Sequence, residues 1–313
     1  MRDAALVLVQ TMLIVLLAPL WSGVVAALKA RLQMRRGAPV WQRYRDLAKL
    51  LGKETVLSED ASPLARQVPY LVLGAACAIA TWTPAITTHE GMGFAGDLVM
   101  TVALLAAMRV LLALLALEAG TTFGGMAASR HLALSALAEP ALMLSLLTLA
   151  LGAHSTGLAA ISSTIARSHD AWISPSHLLA LTAMAMVVVS ETGRVPVDNP
   201  ATHLELTMIH DGMLLESSGR HLAALEWAAA IRQLLLLTLL ANLFLPWGIA
   251  LEPTPGALLI GLAAWLAKLA VFALAVAMLE SVTAKMRLFR VPEFLGMAFL
   301  LSLLALSFDS FLR

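Results

Sequence analysis

Residues 191–227, "ETGRVPVDNPATHLELTMIHDGMLLESSGRHLAALEW", carry six acids, two arginines and three histidines in a chain that is 60% hydrophobic. Carboxylates and imidazoles close to arginine are suited to accepting, passing or sensing protons. Burial raises a carboxyl pKa, a neighbouring cation lowers it, and histidine titrates near neutrality. The competing reading is a solvated loop, because a segment polar on several faces usually meets water. Metal chemistry is disfavoured, since His203-x-Glu205 with His210 lacks the HExxH spacing. Pro196 and Pro200 exclude a regular helix through "VPVDNPA", and Asp198 or Asn199 can cap a helix entered at Pro200. On such a helix Glu205 and Glu216, eleven residues apart, would project within about 20° of each other. His203 and His210 would form a separate polar stripe.

Composition then dictates what must position these groups. Mean hydropathy is +0.84, only 13% of residues are charged, and apolar runs of about 20 residues recur. These features predict an all-α polytopic membrane protein, read as a single integral membrane domain over residues 1–313. Eight spans are expected, at 4–28, 68–88, 98–117, 132–153, 177–190, 227–248, 258–280 and 294–312. The first is read as a retained span rather than a signal peptide, because Lys29 and Arg31 follow it where small residues would mark cleavage. The fifth reaches only about 21 Å, so its last turns should recruit the start of the acidic segment and bring Glu191 and Arg194 to membrane depth. A net charge of +1 gives no reason to expect nucleic acid. A lone Cys77 excludes a disulfide framework and a CxxC site within this chain, so no cofactor is expected in it.

Sixteen lysines and arginines fall in loops on one side of this plan and three (Arg2, Arg167, Arg313) on the other. Arg130, Arg194, Arg220, Arg232, Lys285, Arg287 and Arg290 count with the first group, which makes that side cytoplasmic and both termini external. Glu118 and Glu280 then end spans three and seven on the inner side, and Glu139 lies about two turns inside span four. Arg109 and Lys268, near mid-span, demand partners, with Glu118, Glu139 and Glu280 as candidates. "GTTFGG" offers either a close-approach GxxxG face, Gly120 with Gly124, or a turn. The first inner loop, "RRGAPVWQRYRDLAKLLGKE", reads as an amphipathic helix with Arg43, Arg45, Asp46, Lys49, Lys53 and Glu54 beside Trp41, Tyr44 and Leu47. It could anchor to anionic headgroups or dock a soluble protein, and Arg287 and Arg290 face the same side.

Four stretches taken in order, "RRGAPVWQRYRDLAKLLGKE", "ETGRVPVDNPATHLEL", "LLESSGRHLAALEWA" and "AKMRLFRVPEFLG", resemble one family. It is the membrane subunit shared by respiratory complex I (its subunit 1) and the group 4 membrane-bound NiFe hydrogenases. The chain looks closest to the formate hydrogenlyase and hydrogenase-4 type. The resemblance implies a bacterial or archaeal inner-membrane subunit that docks a soluble electron-transfer arm and relays charge toward antiporter-like membrane subunits. It implies hydrogenase large and small subunits and iron–sulfur proteins as cytoplasmic partners, and these would hold the NiFe centre and iron–sulfur clusters. Carried over by position, Arg130, Glu139, Glu191, Arg194, Asp198, Glu205 and Glu216 match the family's charged residues. Asp211, Glu118, Glu280 and Lys268 join the candidate relay on their own placement. Complex I proteins usually carry acids where Ala201 and His203 stand here, which argues against quinone reduction at this loop. A quinone-site subunit of an NADH:quinone oxidoreductase is therefore the alternative. A free-standing transporter is disfavoured, because no inverted repeat is visible.

Overall fold

A computed structural model describes residues 2–58, 61–88, 96–168, 172, 174–195, 197–198, 209–284, 286–287 and 290–312. The described residues are helical, with no strand beyond two isolated bridges. In chain order the helices are α1 (Arg2–Leu32), α2 (Gln42–Leu51), α3 (Pro63–Trp82), α4 (Leu98–Glu118), α5 (Thr122–Ala153), α6 (Leu158–Arg167), α7 (Pro175–Glu191), α8 (His210–Met213), α9 (Gly219–Leu239), α10 (Pro255–Val282) and α11 (Val291–Leu312). Helix α9 continues as a π-helix over Leu240–Phe244.

Local sequence explains where the spans start. Ser62, Thr121, Ser174 and Thr254 each accept a backbone N–H of the first turn of α3, α5, α7 and α10. Three of those helices open on proline, whose missing donor is harmless there. Among the described residues seven helices are long and apolar enough to cross a membrane, and α7 is a shorter apolar helix. All eight expected spans thus correspond to apolar helices of a multi-pass membrane protein. Helix α9 is central: 83% of its most apolar stretch is buried, against 28% for α1, α10 and α11. Around it α3 packs on α9, α1 on α10 and α9, and α11 on α5 and α7. Indole donors tie the helices across the bundle, Trp21 Nε1 to the Leu269 carbonyl at 3.1 Å and Trp227 Nε1 to the Val15 carbonyl at 3.0 Å.

Several expectations change. Helix α5 begins at Thr122, ten residues before the expected span, so Glu139 lies about five turns into the helix rather than two. Pro140, next to Glu139, removes a backbone donor and frees the Ala136 carbonyl inside that helix. Gly120, at φ +63°, belongs to the turn after α4, and Gly124 lies in the first turn of α5. The two therefore form a tight inter-helix turn and not one close-approach face. Arg232, counted with the loop cations, sits inside α9 and is 5% exposed. A continuous helix carrying Glu205 and Glu216 on one face is excluded at its second half, because α8 ends at Met213. Glu205, His203, Pro196, Pro200 and Lys285 lie outside the described residues. Helix α6 was not anticipated. It lies at the end of the bundle opposite α2, where Thr87 bridges to Ala250 and Asp97 to Gly157.

Helix α2 is the expected amphipathic helix, with no buried residue, and its Tyr44 hydroxyl donates to the Leu16 carbonyl of α1. Its loop is stitched to the start of α9 by Ser218, whose hydroxyl bonds both the N–H and the carbonyl of Val56 at 2.9 Å. Gly219, at φ +50°, is pressed so close that a Cβ would lie 2.3 Å from the Glu54 carbonyl oxygen. This junction fixes the inner loops over the bundle.

Candidate functional site

Three helices bring one ion cluster together. Arg109 on α4 is 1% exposed, and its Nη1 donates to Glu191 Oε1 at the end of α7 at 2.6 Å. Its Nη2 lies 2.6 Å from Glu139 Oε1 on α5, off the direction of a good hydrogen bond. A buried guanidinium needs such neighbours, because an unpaired charge in apolar surroundings is very unfavourable. The two carboxylates differ: the Glu191 side chain is 6% exposed and that of Glu139 36%. Glu191 is therefore the interior member and Glu139 the one open at the bundle's surface. Of the three candidate partners for Arg109, Glu139 is the one found; Glu191 had not been paired with it.

A second cluster lies between α1, α9 and α10. Glu280 accepts from Lys29 Nζ and Arg194 Nη1, each at 2.9 Å, and Arg194 also donates to Gln233 Oε1 at 3.2 Å. Asp198, 5% exposed, accepts from the N–H groups of Ile209 at 3.0 Å and His210 at 3.4 Å. It thus caps α8 across the stretch between them, which is why so short a helix persists. Asp211 follows within that helix. Burial and then the Asp198 carboxylate push its pKa up, and the Arg43 guanidinium opposes them. The backbone around these residues and α2 encloses a cavity of about 450 Å³ lined by Arg43, Asp46, Arg194, Asp198, Asp211 and Glu226, among others. Leu47, Leu50, Ala229 and Ala230 line it as well, so the wall is part charged and part apolar.

The remaining candidates stand apart. Glu118 accepts the Ser62 N–H at 2.6 Å and shares a different cavity, of about 290 Å³, with Glu216. Arg130 lies on α5 one residue before His131. Lys268 pairs with no carboxylate among the described residues. Its Nζ donates to Asn242 Oδ1 at 2.9 Å and the Ala241 carbonyl at 3.3 Å, and lies 4.8 Å from the Trp247 ring centre. Its partners are thus the carbonyls of the π-helix and an aromatic face, not the expected glutamates. Arg43, Arg45, Lys49, Lys53 and Glu54 are exposed on or after α2, Asp46 is half-buried, and Arg287 and Arg290 are exposed before α11. Arg43 also reaches Glu226 at 3.8 Å.

Sequence reasoning missed four groups that the geometry places beside the clusters: Lys29, Gln233, His131 and Arg232. The signal for Arg232 was present, since it and Gln233 interrupt the apolar run "AAAIRQLLLLTLL". The position of His131 depends on the early start of α5, which no pattern announced.

The sequence matches the NADH dehydrogenase family over residues 4–308. It is 34% identical over 299 residues to hydrogenase-4 component C of Escherichia coli (strain K12), spanning 95% of this chain and 93% of that one. It is 35% identical over 304 residues to formate hydrogenlyase subunit 4 of the same organism, spanning 95% and 98%. Its backbone is similar to a chain of the membrane-bound sulfane sulfur reductase, an archaeal respiratory membrane complex. The TM-score is 0.80 at 18% identity, with 97% of this chain and 99% of that one covered. At that identity the likeness speaks to fold alone.

Proposed function

The chain belongs to the NADH dehydrogenase family of membrane subunits, and from that premise we propose that it is the membrane-anchoring, energy-coupling subunit of a membrane-bound NiFe hydrogenase complex. Both curated relatives are named as components of hydrogenase-type complexes. In this reading the exposed cations of α2 and the loop before α11 dock hydrogenase large and small subunits and iron–sulfur proteins, which hold the NiFe centre and clusters. The basic side is cytoplasmic, both termini are external, and the membrane is the inner membrane of a bacterium or archaeon.

The observation that carries the coupling role is the pairing of Arg109 with both Glu191 and Glu139. A proton reaching Glu191 weakens its bond to Arg109 and leaves the guanidinium to Glu139, the carboxylate open to a neighbouring antiporter-like subunit. The NADH:quinone oxidoreductase reading has less support, because the two relatives carry the names hydrogenase-4 component C and formate hydrogenlyase subunit 4.

Purification of the tagged chain from its own membranes tests the assignment. Nickel and iron should co-purify with the complex, and hydrogen evolution should resist quinone-site inhibitors. An NADH-oxidising complex without nickel, blocked by those inhibitors, would establish the quinone reading instead.

A further inference from the structure

Between the inner cavity and the Arg109 cluster lies a smaller space of about 30 Å³. Its walls include Ser135, Glu191, Asp198 and three basic side chains: His131, His210 and Arg232. Each of the three ends in a buried nitrogen with no protein partner, His131 Nε2, His210 Nδ1 and Arg232 Nη1. Unpartnered buried donors and acceptors are rare and unfavourable, and three around one space point to something that satisfies all of them. Four residues, Gly193, Asp198, His210 and Arg232, line both spaces and so form the partition between them.

The chemistry selects the occupant. Arg232 Nη1 can only donate, whereas each neutral imidazole nitrogen donates or accepts according to its tautomer. Water accepts up to two bonds and donates two, so it satisfies Arg232 Nη1 and both imidazole nitrogens whenever at least one imidazole presents its acceptor form. A space that admits one water needs roughly 10–15 Å³ and two to four polar partners, and this one exceeds both minima. An anion would sit against Glu191 and Asp198, whose charges repel it.

We propose that His131, His210 and Arg232 hold an internal water against Glu191, and that this water is the gate through which protons pass from the inner cavity to the Arg109 cluster. The proposal rests on the relay reading above and adds its point of entry. The transfer balances without any redox step. The water gives a proton to the Glu191 carboxylate and takes one from the His210 ring, which is reprotonated at its other nitrogen from the cavity. One proton moves inward, the water is restored and Glu191 is protonated, while His210 is left as its other tautomer, which a ring flip or a proton shift through the cavity returns to the start. Helix packing sets the geometry. A Cβ on Gly212 would meet the Ala127 Cβ at 2.8 Å, so glycine lets α8, and His210 with it, press against the helix that carries His131.

The test uses the intact complex in sealed membrane vesicles, reading proton movement per hydrogen evolved, with the yield of assembled complex as control. Ser135→Val fills the space from α5 without removing a titrating group, and His131→Phe and His210→Phe remove the water's partners. Each should reduce proton movement by about a hundredfold, the lower edge of what a positioned proton-transfer group supplies. Glu191→Gln is measured beside them. If Glu191→Gln abolishes proton movement while the other three pump as wild type, the gate is wrong and the relay stands. Normal pumping by Glu191→Gln would remove the relay and the gate together. Should Ser135→Val fail to assemble, a high-resolution map of the wild-type complex decides. Density for water bonded to Arg232 Nη1 and both imidazoles supports the gate, and an anion or a side chain filling that space overturns it.

Discussion

At the scale of single residues the site is governed by which charges are buried and what faces them. Arg109 is the clearest case, because its removal leaves Glu191 interior and without its cation. Arg109→Met should destabilise the fold by about 3–5 kcal/mol, the range for breaking a buried pair from one side. The loss would be read as a lower unfolding temperature of the complex in detergent; an unchanged temperature would mean that the pair is solvated. His210 gives a pH dependence. Burial first, then the Arg232 charge and His131, hold its imidazole down from 6.5 to about 3, against an opposing pull from Asp198. The unfolded chain therefore binds a proton in that window and the folded one does not. The corresponding stability is complete above 6.5 and declines as pH falls toward 3. Asp211, with its pKa raised, acts in the opposite sense and blunts the effect. Unfolding temperature should thus drop as pH falls below 6.5, and His210→Asn should flatten that slope. An equal slope in both proteins would show that His210 is not the group responsible.

At the scale of elements, α2 is an exposed amphipathic helix whose loop is bonded to the start of α9 through Ser218. Reversing Arg43, Arg45 and Lys49 to glutamate should release the soluble subunits while this chain remains in the membrane. Retention of the whole arm would make α2 a lipid anchor only. Gly219→Ala should destabilise by about 1–3 kcal/mol, because its positive φ and the nearby Glu54 carbonyl leave no room for a methyl; an unperturbed unfolding temperature would contradict that packing. Elements of this kind were legible in the sequence to different degrees. The spans and α2 could be read directly, since long apolar runs and a mixed basic–apolar period leave few alternatives. The start of α5 could not, because "TTFGGMAASRH" is polar enough to pass for a loop, and packing against α4 and α8 decides otherwise. Likewise the pairing of Arg109 with Glu191 joins residues 82 positions apart, a distance over which spacing says nothing. The fifth span proved informative for a physical reason: the apolar helix is short, and its terminal Glu191 meets Arg109 of α4.

At the scale of the whole molecule the described residues form a helical bundle that holds two ion clusters, Arg109 with Glu139 and Glu191, and Glu280 with Lys29 and Arg194. Orientation can be checked with reporter fusions. A fusion at residue 57 should read cytoplasmic and one at residue 92 external, and the reverse pattern would invert the proposed topology. The larger claim is that this bundle links the chemistry of its partners to charge movement through Glu191, Arg109 and Glu139. Glu191→Gln and Glu139→Gln preserve side-chain shape and remove only the titrating group. The decisive measurement is proton translocation per hydrogen evolved by each variant complex in sealed vesicles, beside the wild type. The account predicts normal assembly with translocation lost in both. Wild-type gradients and wild-type hydrogen evolution in both variants would make these carboxylates structural and contradict it.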